Sequence, residues 1–240
     1  KRVCHLTSVH SSDDTRVFHK ECVSLARAGY DVTLVAPGES REELGVHIVG
    51  VGEKPVGTLN RLTRKAPYEA ALPLDCELYH LHDPELLPYA LKLKRHGKTV
   101  IFDSHEFYSL LIQEKGYIPG FLKKPASRIY GALEAGVFQK LDAVIIPCTS
   151  FGKNPFEKCA KRTVIVDNLP LPTTGKLYPD AENTVGYVGG VTAERGITNL
   201  IRACAIAGAR LHLAGPVWPA YLEELKSMPE FACVDYAGVV

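Results

Sequence analysis

Short apolar runs of strand length, rich in β-branched residues, punctuate this chain and leave few folds open to it. The runs are Val3–Thr7, Val32–Ala36, Val46–Val51, Leu78–His82, Thr99–Phe102, Ala143–Pro147 and Thr163–Val166. They are nearly continuous rather than alternating, as strands are when both faces of their sheet are covered. Helical patterns lie between them. Arg16–Ala28 sets Val17, Val23, Leu25 and Ala28 in one broad stripe, and Gly29 stops it as a C′ glycine would. Pro84–Arg95 has Asp83 in the N-cap place and Pro84 at N1, and closes at Gly97. Ala126–Lys140 is a third helix candidate. Such alternation implies right-handed crossovers and a parallel, doubly wound α/β sheet.

The same grammar restarts after a stretch rich in proline. Residues 1–170 form the first Rossmann-like domain in this reading, 171–183 a linker and 184–240 a second domain. In the second, Val185–Val188, Ala209–Ala214 and Phe231–Tyr236 read as strands, and Glu194–Ala207 and Ala220–Ser227 as helices. That is a poor free-standing core beside the ~100 residues usual for a domain of this class. The second domain is therefore expected to be truncated at Val240. The chain opens on Lys1-Arg2, so residues before Lys1 are expected, and no signal peptide is read.

Composition narrows the function classes. The 240 residues are 46% hydrophobic and 23% charged, enough to build a core without disulfides or metal. A net charge of +1 offers no field for nucleic acid. The seven cysteines show no C-x-x-C spacing, and most sit in apolar runs, Cys4 and Cys148 among them. They read as buried thiols in a reducing, cytoplasmic compartment. No apolar run approaches the ~20 residues needed to span a bilayer.

Ligands of open α/β sheets bind beyond the carboxyl ends of the strands, so the residues there carry the functional reading. Ser8 to Arg16 follow the first strand, as an anion-receiving loop or a polar turn with Asp14 or Thr15 as cap. His80 and His82 share one strand face, a spacing that suits a metal, but no third ligand lies at a telling distance and no metal is assigned. Asp103-Ser104-His105-Glu106 ends the fifth strand, for polar recognition or proton handling, or as a helix opening capped by Ser104. Gly189-Gly190 permit close backbone approach to a ligand, and Arg195 suits phosphate oxygens. The P-loop and G-x-G-x-x-G fingerprints are absent.

Taken together these stretches resemble glycosyltransferase family 4. They are His10 through Asp14-Thr15-Arg16 to Lys20-Glu21, Tyr79-His80-Leu81-His82-Asp83-Pro84-Glu85, Val100 to Glu106, Asp167-Asn168-Leu169-Pro170, and Tyr187-Val188-Gly189-Gly190 with Arg195-Gly196-Ile197. The resemblance covers nearly the whole chain. It implies the GT-B fold of two Rossmann-like domains, with chemistry at their seam. It also implies sugar transfer, with retention, from a UDP- or GDP-linked nucleotide-sugar to a glycan or lipid-linked acceptor. No cofactor or metal would be needed, and cell-surface polysaccharide synthesis is the expected setting.

Carried over residue by residue, the resemblance implies that His105 is the catalytic histidine beside the transferred sugar. The loop holding Ser12 and Asp13 would approach the donor diphosphate, although the family's glycine pair is missing from it. Asp14, Arg16, His82, Asp83, Glu85 and Glu106 would serve acceptor or phosphate on the first domain. Gly189, Gly190 and Arg195 would hold the donor on the second. Gly190 stands where the family usually has the first of two basic residues, and the family's Glu-x7-Glu stretch would lie past Val240. Arg61, Arg64, Lys65, Lys123, Lys124 and Arg128 near apolar residues allow peripheral contact with the inner face of the membrane. Two other readings stay open: a sugar-nucleotide 2-epimerase of the same fold, and a non-catalytic α/β binding module.

Overall fold

The structure, a computed structural model, describes residues 1–114, 118–149, 152–171 and 183–239. The chain divides into two compact units, Lys1–Pro172 and Thr173–Val240. The expected linker falls almost wholly outside the described residues.

The first unit is built on β1 (Arg2–Leu6), β2 (Asp31–Ala36), β3 (Arg41–Glu43), β4 (Val46–Gly50), β5 (Leu78–Leu81), β6 (Thr99–Asp103), β7 (Ala143–Ile146) and β8 (Thr163–Ile165). They form one sheet in the order β3-β4-β2-β1-β5-β6-β7-β8. All neighbours are parallel except β3 with β4. β3 has no counterpart in the sequence reading, because Arg41-Glu42-Glu43 carries no apolar signal. It is a charged edge strand, of the kind that discourages further pairing. A two-residue turn, Leu44 and Gly45 at φ 51 and 80, joins it to β4.

The helices of this unit are α1 (Val23–Arg27), α2 (Thr58–Thr63), α3 (Ala66–Ala71), α4 (Leu87–Arg95), α5 (Tyr108–Glu114) and α6 (Gly120–Phe138). The helix expected from Ala126 starts at Gly120 and runs through Pro125. Pro125 removes the backbone bond to the Phe121 carbonyl and crowds that oxygen, a cost confined to the helix's first two turns. The short helices α2, α3 and α5 lacked a readable apolar period. The sheet is covered on both sides. One face packs Cys4, Leu6, Tyr79, Leu81, Val100 and Phe102 with Leu93 and Phe138. On the other, Val32, Leu34, Val46 and Ile48 pack against Val17, Phe18, Cys22 and Val23.

That second layer departs from the expected helix. Residues Thr15–Cys22 wind as a π-helix before α1 continues. The buried stripe is Val17, Phe18, Cys22 and Val23, and Ala28 is exposed. In an α-helix residues five apart stand about 140° apart around the axis. The wider π turn bonds i to i+5 and brings them to one side. Arg16 and Glu21 are five apart, and Arg16 Nε lies 3.2 Å from Glu21 Oε1. Cys148 also departs from expectation: it is exposed just beyond β7, and the seven cysteines are all free.

The second unit holds β9 (Thr184–Val188), β10 (Arg210–Ala214) and β11 (Val234–Gly238), parallel in the order β11-β10-β9. Helices α7 (Ile197–Ala207) and α8 (Pro219–Lys226) accompany them. Ile197, Ile201, Leu211, Leu213 and Leu225 form its core.

Close backbone packing at the β4 edge gives a test of the fold. A Cβ added to Gly50 would collide with the Gly38 carbonyl oxygen and lie 2.8 Å from Glu39 Cα. Gly50→Ala should lower stability by about 1–3 kcal/mol, read as an earlier urea midpoint with an unchanged m-value. A wild-type midpoint would show that this edge gives way at no cost.

Candidate active site

The strand order reverses at β1, with β2 on one side and β5 on the other. Ligand sites in open parallel sheets form at the carboxyl ends beside such a switch. Thr7 and Ser8 follow β1 there, His82 and Asp83 follow β5, and Asp103 closes β6. Asp83 occupies the N-cap place but makes no side-chain cap bond. Its Oδ2 turns back across the switch and accepts from Thr7 Oγ1 at 2.6 Å and Ser8 N at 2.7 Å. Two short bonds to one charged acceptor outweigh a single cap bond. His10 Nδ1 stands 3.1 Å from the other oxygen. Burial alone would lower the pKa of His10, but Asp83 overcomes it and holds the imidazole above its ordinary 6.5. Burial likewise opposes ionisation of Asp83, yet His10, Thr7 and Ser8 keep it well below the usual carboxylate range.

The loop after β1 is fixed in detail. Asp14 Oδ1 accepts from Arg16 N and Val17 N, both at 2.8 Å, and so caps the π-helix. Ser12 is buried and receives Arg41 Nη1 on its Oγ at 2.8 Å. Asp13 is exposed. A cavity of about 590 Å³ opens over these strand ends, and its polar lining includes His10, Asp14, Arg16, Arg61, His105 and Glu106. Asp14, Arg16, His105 and Glu106 of the expected set therefore meet here, whereas Ser12 and Asp13 do not line the cavity. His82, Asp83 and Glu85 lie buried beneath it. Glu85 is held by Ser8 Oγ and Arg61 Nε, both at 2.5 Å, so Arg61 turns inward. Ser104 is not a helix cap: its hydroxyl donates to Glu106 O at 2.9 Å.

His105 joins the cavity to a buried polar network. Its Nε2 lies 3.2 Å from Asp103 Oδ2 and 3.2 Å from His82 Nδ1. Arg16 grips Asp103 with two bonds, Nε to Oδ2 at 2.9 Å and Nη2 to Oδ1 at 3.0 Å. Burial penalises the Asp103 charge, but His105, His82 and Arg16 hold its pKa well below the ordinary carboxylate value. Deeper still, His82 Nε2 lies 2.9 Å from His5 Nδ1. The His80 ring lies 4.5 Å from that of His5 and 4.6 Å from that of His82, and Glu21 reaches in from the π-helix. Burial, reinforced by neighbouring histidines, drives His5 well below 6.5 and His80 to about 3. Burial, with Asp103 nearby, pushes Glu21 up to about 9.

Sequence reasoning gave no side-chain role to Thr7, Ser8, His5 or Glu21 and missed the inward role of Arg61. The only signal for His5 was a polar residue inside an apolar strand run. It pairs in register with His80, which no sequence spacing announces.

In the second unit Gly189 has φ 153, and Gly190 O accepts from Tyr187 Oη at 2.9 Å. Arg195 is exposed in a turn. α7 begins at Ile197 rather than Glu194, because Gly196 takes a left-handed conformation at φ 74.

The fold agrees with that of several solved structures. The E. coli trehalose-6-phosphate protein bound with UDP-2-fluoro glucose matches over 100% of this chain and 74% of its own, with TM-score 0.63 and 12% identity. UDP-glucose:anthocyanidin 3-O-glucosyltransferase in complex with UDP matches over 98% of this chain and 71% of its own, at 0.57 and 11%. CalG4, the calicheamicin glycosyltransferase, does so over 98% and 70%, at 0.55 and 14%. Identities this low speak for the fold alone, which is the GT-B type. No curated protein matches the sequence. Residues 15–154 match the pattern of Glycosyltransferase Family 4, and the chain belongs to that family.

The Asp83 latch is testable by its effect on His10. Asp83→Asn removes the charge that outweighs burial, leaving the weaker pull of Asp14 and the repulsion of Lys54. The His10 pKa, followed by NMR, should fall below 6.5. In the wild type this pair stabilises the fold below the unfolded-state pKa, and the contribution is lost as pH rises through the higher folded value. Stability at neutral pH should also drop by about 1–3 kcal/mol, because the donors from Thr7 and Ser8 lose a charged acceptor.

Proposed function

We propose that this glycosyltransferase moves a sugar from a UDP- or GDP-linked donor to a glycan or lipid-linked acceptor, with retention at the anomeric carbon, in cell-surface polysaccharide synthesis. The observation that carries the reading is the cavity at the switch point, where His105, Arg16, Asp14 and Glu106 converge. UDP or a UDP-sugar bound in proteins of the same fold supports a nucleotide-sugar donor. The first unit then serves the acceptor, and Gly189, Gly190 and Arg195 of the second serve the donor diphosphate. Arg195 neutralises charge on the departing diphosphate, an electrostatic contribution to the transition state. No cofactor takes part in this scheme.

His105 has a defined task in it. An Nε2–H directed at the Asp103 carboxylate leaves Nδ1 as an acceptor for a sugar hydroxyl. Asp103 is gripped by Arg16 and buried, so it is poorly suited to attack an anomeric carbon. This favours front-face displacement by the acceptor over an enzyme-bound glycosyl intermediate.

His105→Ala should reduce kcat for transfer from the productive donor by about 10²-fold in protein that still folds, with a modestly earlier unfolding midpoint because Asp103 loses a partner. Arg195→Ala should cost about tenfold or more in kcat/KM. Transfer assays and donor hydrolysis with UDP- and GDP-sugars read both effects. Full activity in the His105 variant would sink its assigned role.

Peripheral membrane contact belongs to the same reading. Among the described residues no helix is long and apolar enough to cross a membrane. However, α6 exposes Phe121, Ile129 and Leu133 beside the exposed Lys124 and Arg128. A Lys124→Glu/Arg128→Glu double variant should bind anionic vesicles at least about fivefold more weakly in flotation assays, since each basic residue near such a surface is worth about 1 kcal/mol.

A further inference from the structure

The strongest cluster outside the cavity lies one layer deeper. β1 and β5 bring His5, His80 and His82 to one face of the sheet, and the π-helix lays Glu21 across them. Glu21 Oε2 is 3.9 Å from His5 Nδ1, 3.8 Å from His80 Nδ1 and 3.9 Å from His82 Nε2. His5 Nδ1 and His82 Nε2 are 2.9 Å apart. One ligand atom from each of the four residues lies within 4.8 Å of all the others. Ligands about 2.0–2.1 Å from a tetrahedral ion stand roughly 3.4 Å from one another. The separations here, 2.9 Å and 3.8–3.9 Å, lie on either side of that value.

Hydrogen bonding within the protein does not account for Glu21. Neither of its buried carboxylate oxygens has a hydrogen-bond partner; Arg16 Nε lies 3.2 Å from Oε1, while Oε2 faces only the three imidazole nitrogens. Buried polar atoms are nearly always paired, and an oxygen left unpaired among three ring nitrogens asks for a missing partner. Three imidazoles and one carboxylate suit a borderline-soft divalent ion and not Mg²⁺ or Ca²⁺, which prefer all-oxygen shells. His82 adds a further feature. Its other nitrogen, Nδ1, lies 3.6 Å from Asp103 Oδ2, and a carboxylate behind a ligating histidine is the usual outer partner in metal sites. A cavity of about 400 Å³, lined in part by His5, Glu21 and His80, reaches the cluster as an entry path.

We propose that His5, Glu21, His80 and His82 bind one divalent transition-metal ion of the zinc class, closed to substrate and set behind the cavity. The neighbouring group of His82, Asp103 and His105 is not a second site, because Arg16 bonds both oxygens of Asp103, whereas it reaches only Oε1 of Glu21 and leaves Oε2 to the ion. With four protein ligands the ion has no open position for hydrolytic chemistry. Its work is to pin β1, β5 and the π-helix together. It also fixes His82 with its proton on Nδ1, towards Asp103, which makes His82 a positioning residue for His105. The metal site stands whether or not sugar transfer is the reaction.

The test uses the whole chain and needs no substrate. Protein purified without chelators should carry about one zinc per chain by elemental analysis. After stripping and reloading with Co²⁺, it should show the intense visible bands of four-coordinate cobalt, bleached by one equivalent of Zn²⁺. Free zinc at about 100-fold over its Kd should raise the wild-type melting temperature by roughly 5–10 °C. His80→Ala and Glu21→Gln should each weaken cobalt binding at least about tenfold. His47→Ala and His212→Ala, which remove exposed histidines, should leave it unchanged. If the first two variants fail to fold, the wild-type spectrum decides alone. Only the weak spectrum of six-coordinate cobalt, or no uptake at all, overturns the site. So do four-coordinate bands that persist at full affinity in a folded His80→Ala protein.

Discussion

The parallel pairing of β1 with β5 is the constraint on which the rest of the first unit depends. It sets His5 directly beside His80 and carries Thr7 and Ser8 to the Asp83 carboxylate. It also makes the switch point over which the cavity opens, since the chain must leave β1 towards opposite edges of the sheet. A one-residue slip in this register would turn His5 to the other face, into the apolar layer of Tyr79 and Leu81, and Leu6 out of it. The polar network and the loop above it would then lose their supports together.

The network itself answers a cost problem. Burying Arg16, Asp103 and Glu21 is expensive unless the charges are paired and bonded. Arg16 and Asp103 meet this condition through two short bonds. Glu21 meets it less well, and burial pushes it towards the neutral form. π winding is what lets Arg16 and Glu21 share one side of a helix that also buries Val17, Phe18, Cys22 and Val23. Helical geometry, apolar packing and the polar network are therefore one arrangement, and a regular α-helix here would break either the packing or the pair.

The cavity inherits its properties from this buried layer. His105 is oriented from below by Asp103, which His82 also faces, and Asp14 anchors the turn that brings Arg16 over the strand ends. A rigid scaffold beneath a polar cavity is what pre-organised transfer chemistry requires. Membership of Glycosyltransferase Family 4 gives the class of reaction, while the residues that support His105 come from this chain's own strand pairing.

Much of this was legible in the sequence. Continuous β-branched runs between helical segments determined a parallel α/β sheet, and all seven strands read in the first 166 residues are present. The strand-end motifs pointed to Asp14, Arg16, His105 and Glu106, which line one cavity. Local pattern carries that much because strand period and strand-end position are local properties. It could not reveal β3, whose residues are all charged, or the π winding, whose stripe does not follow an α-helical period. Nor could it show that Asp83 bonds across to Thr7 and Ser8 instead of capping its own helix, or that His5 and Glu21 complete a cluster with His80 and His82. Those contacts join residues up to 77 positions apart. Only strand order and register decide them, because hydrogen bonding and burial act through space, where distance along the chain does not enter.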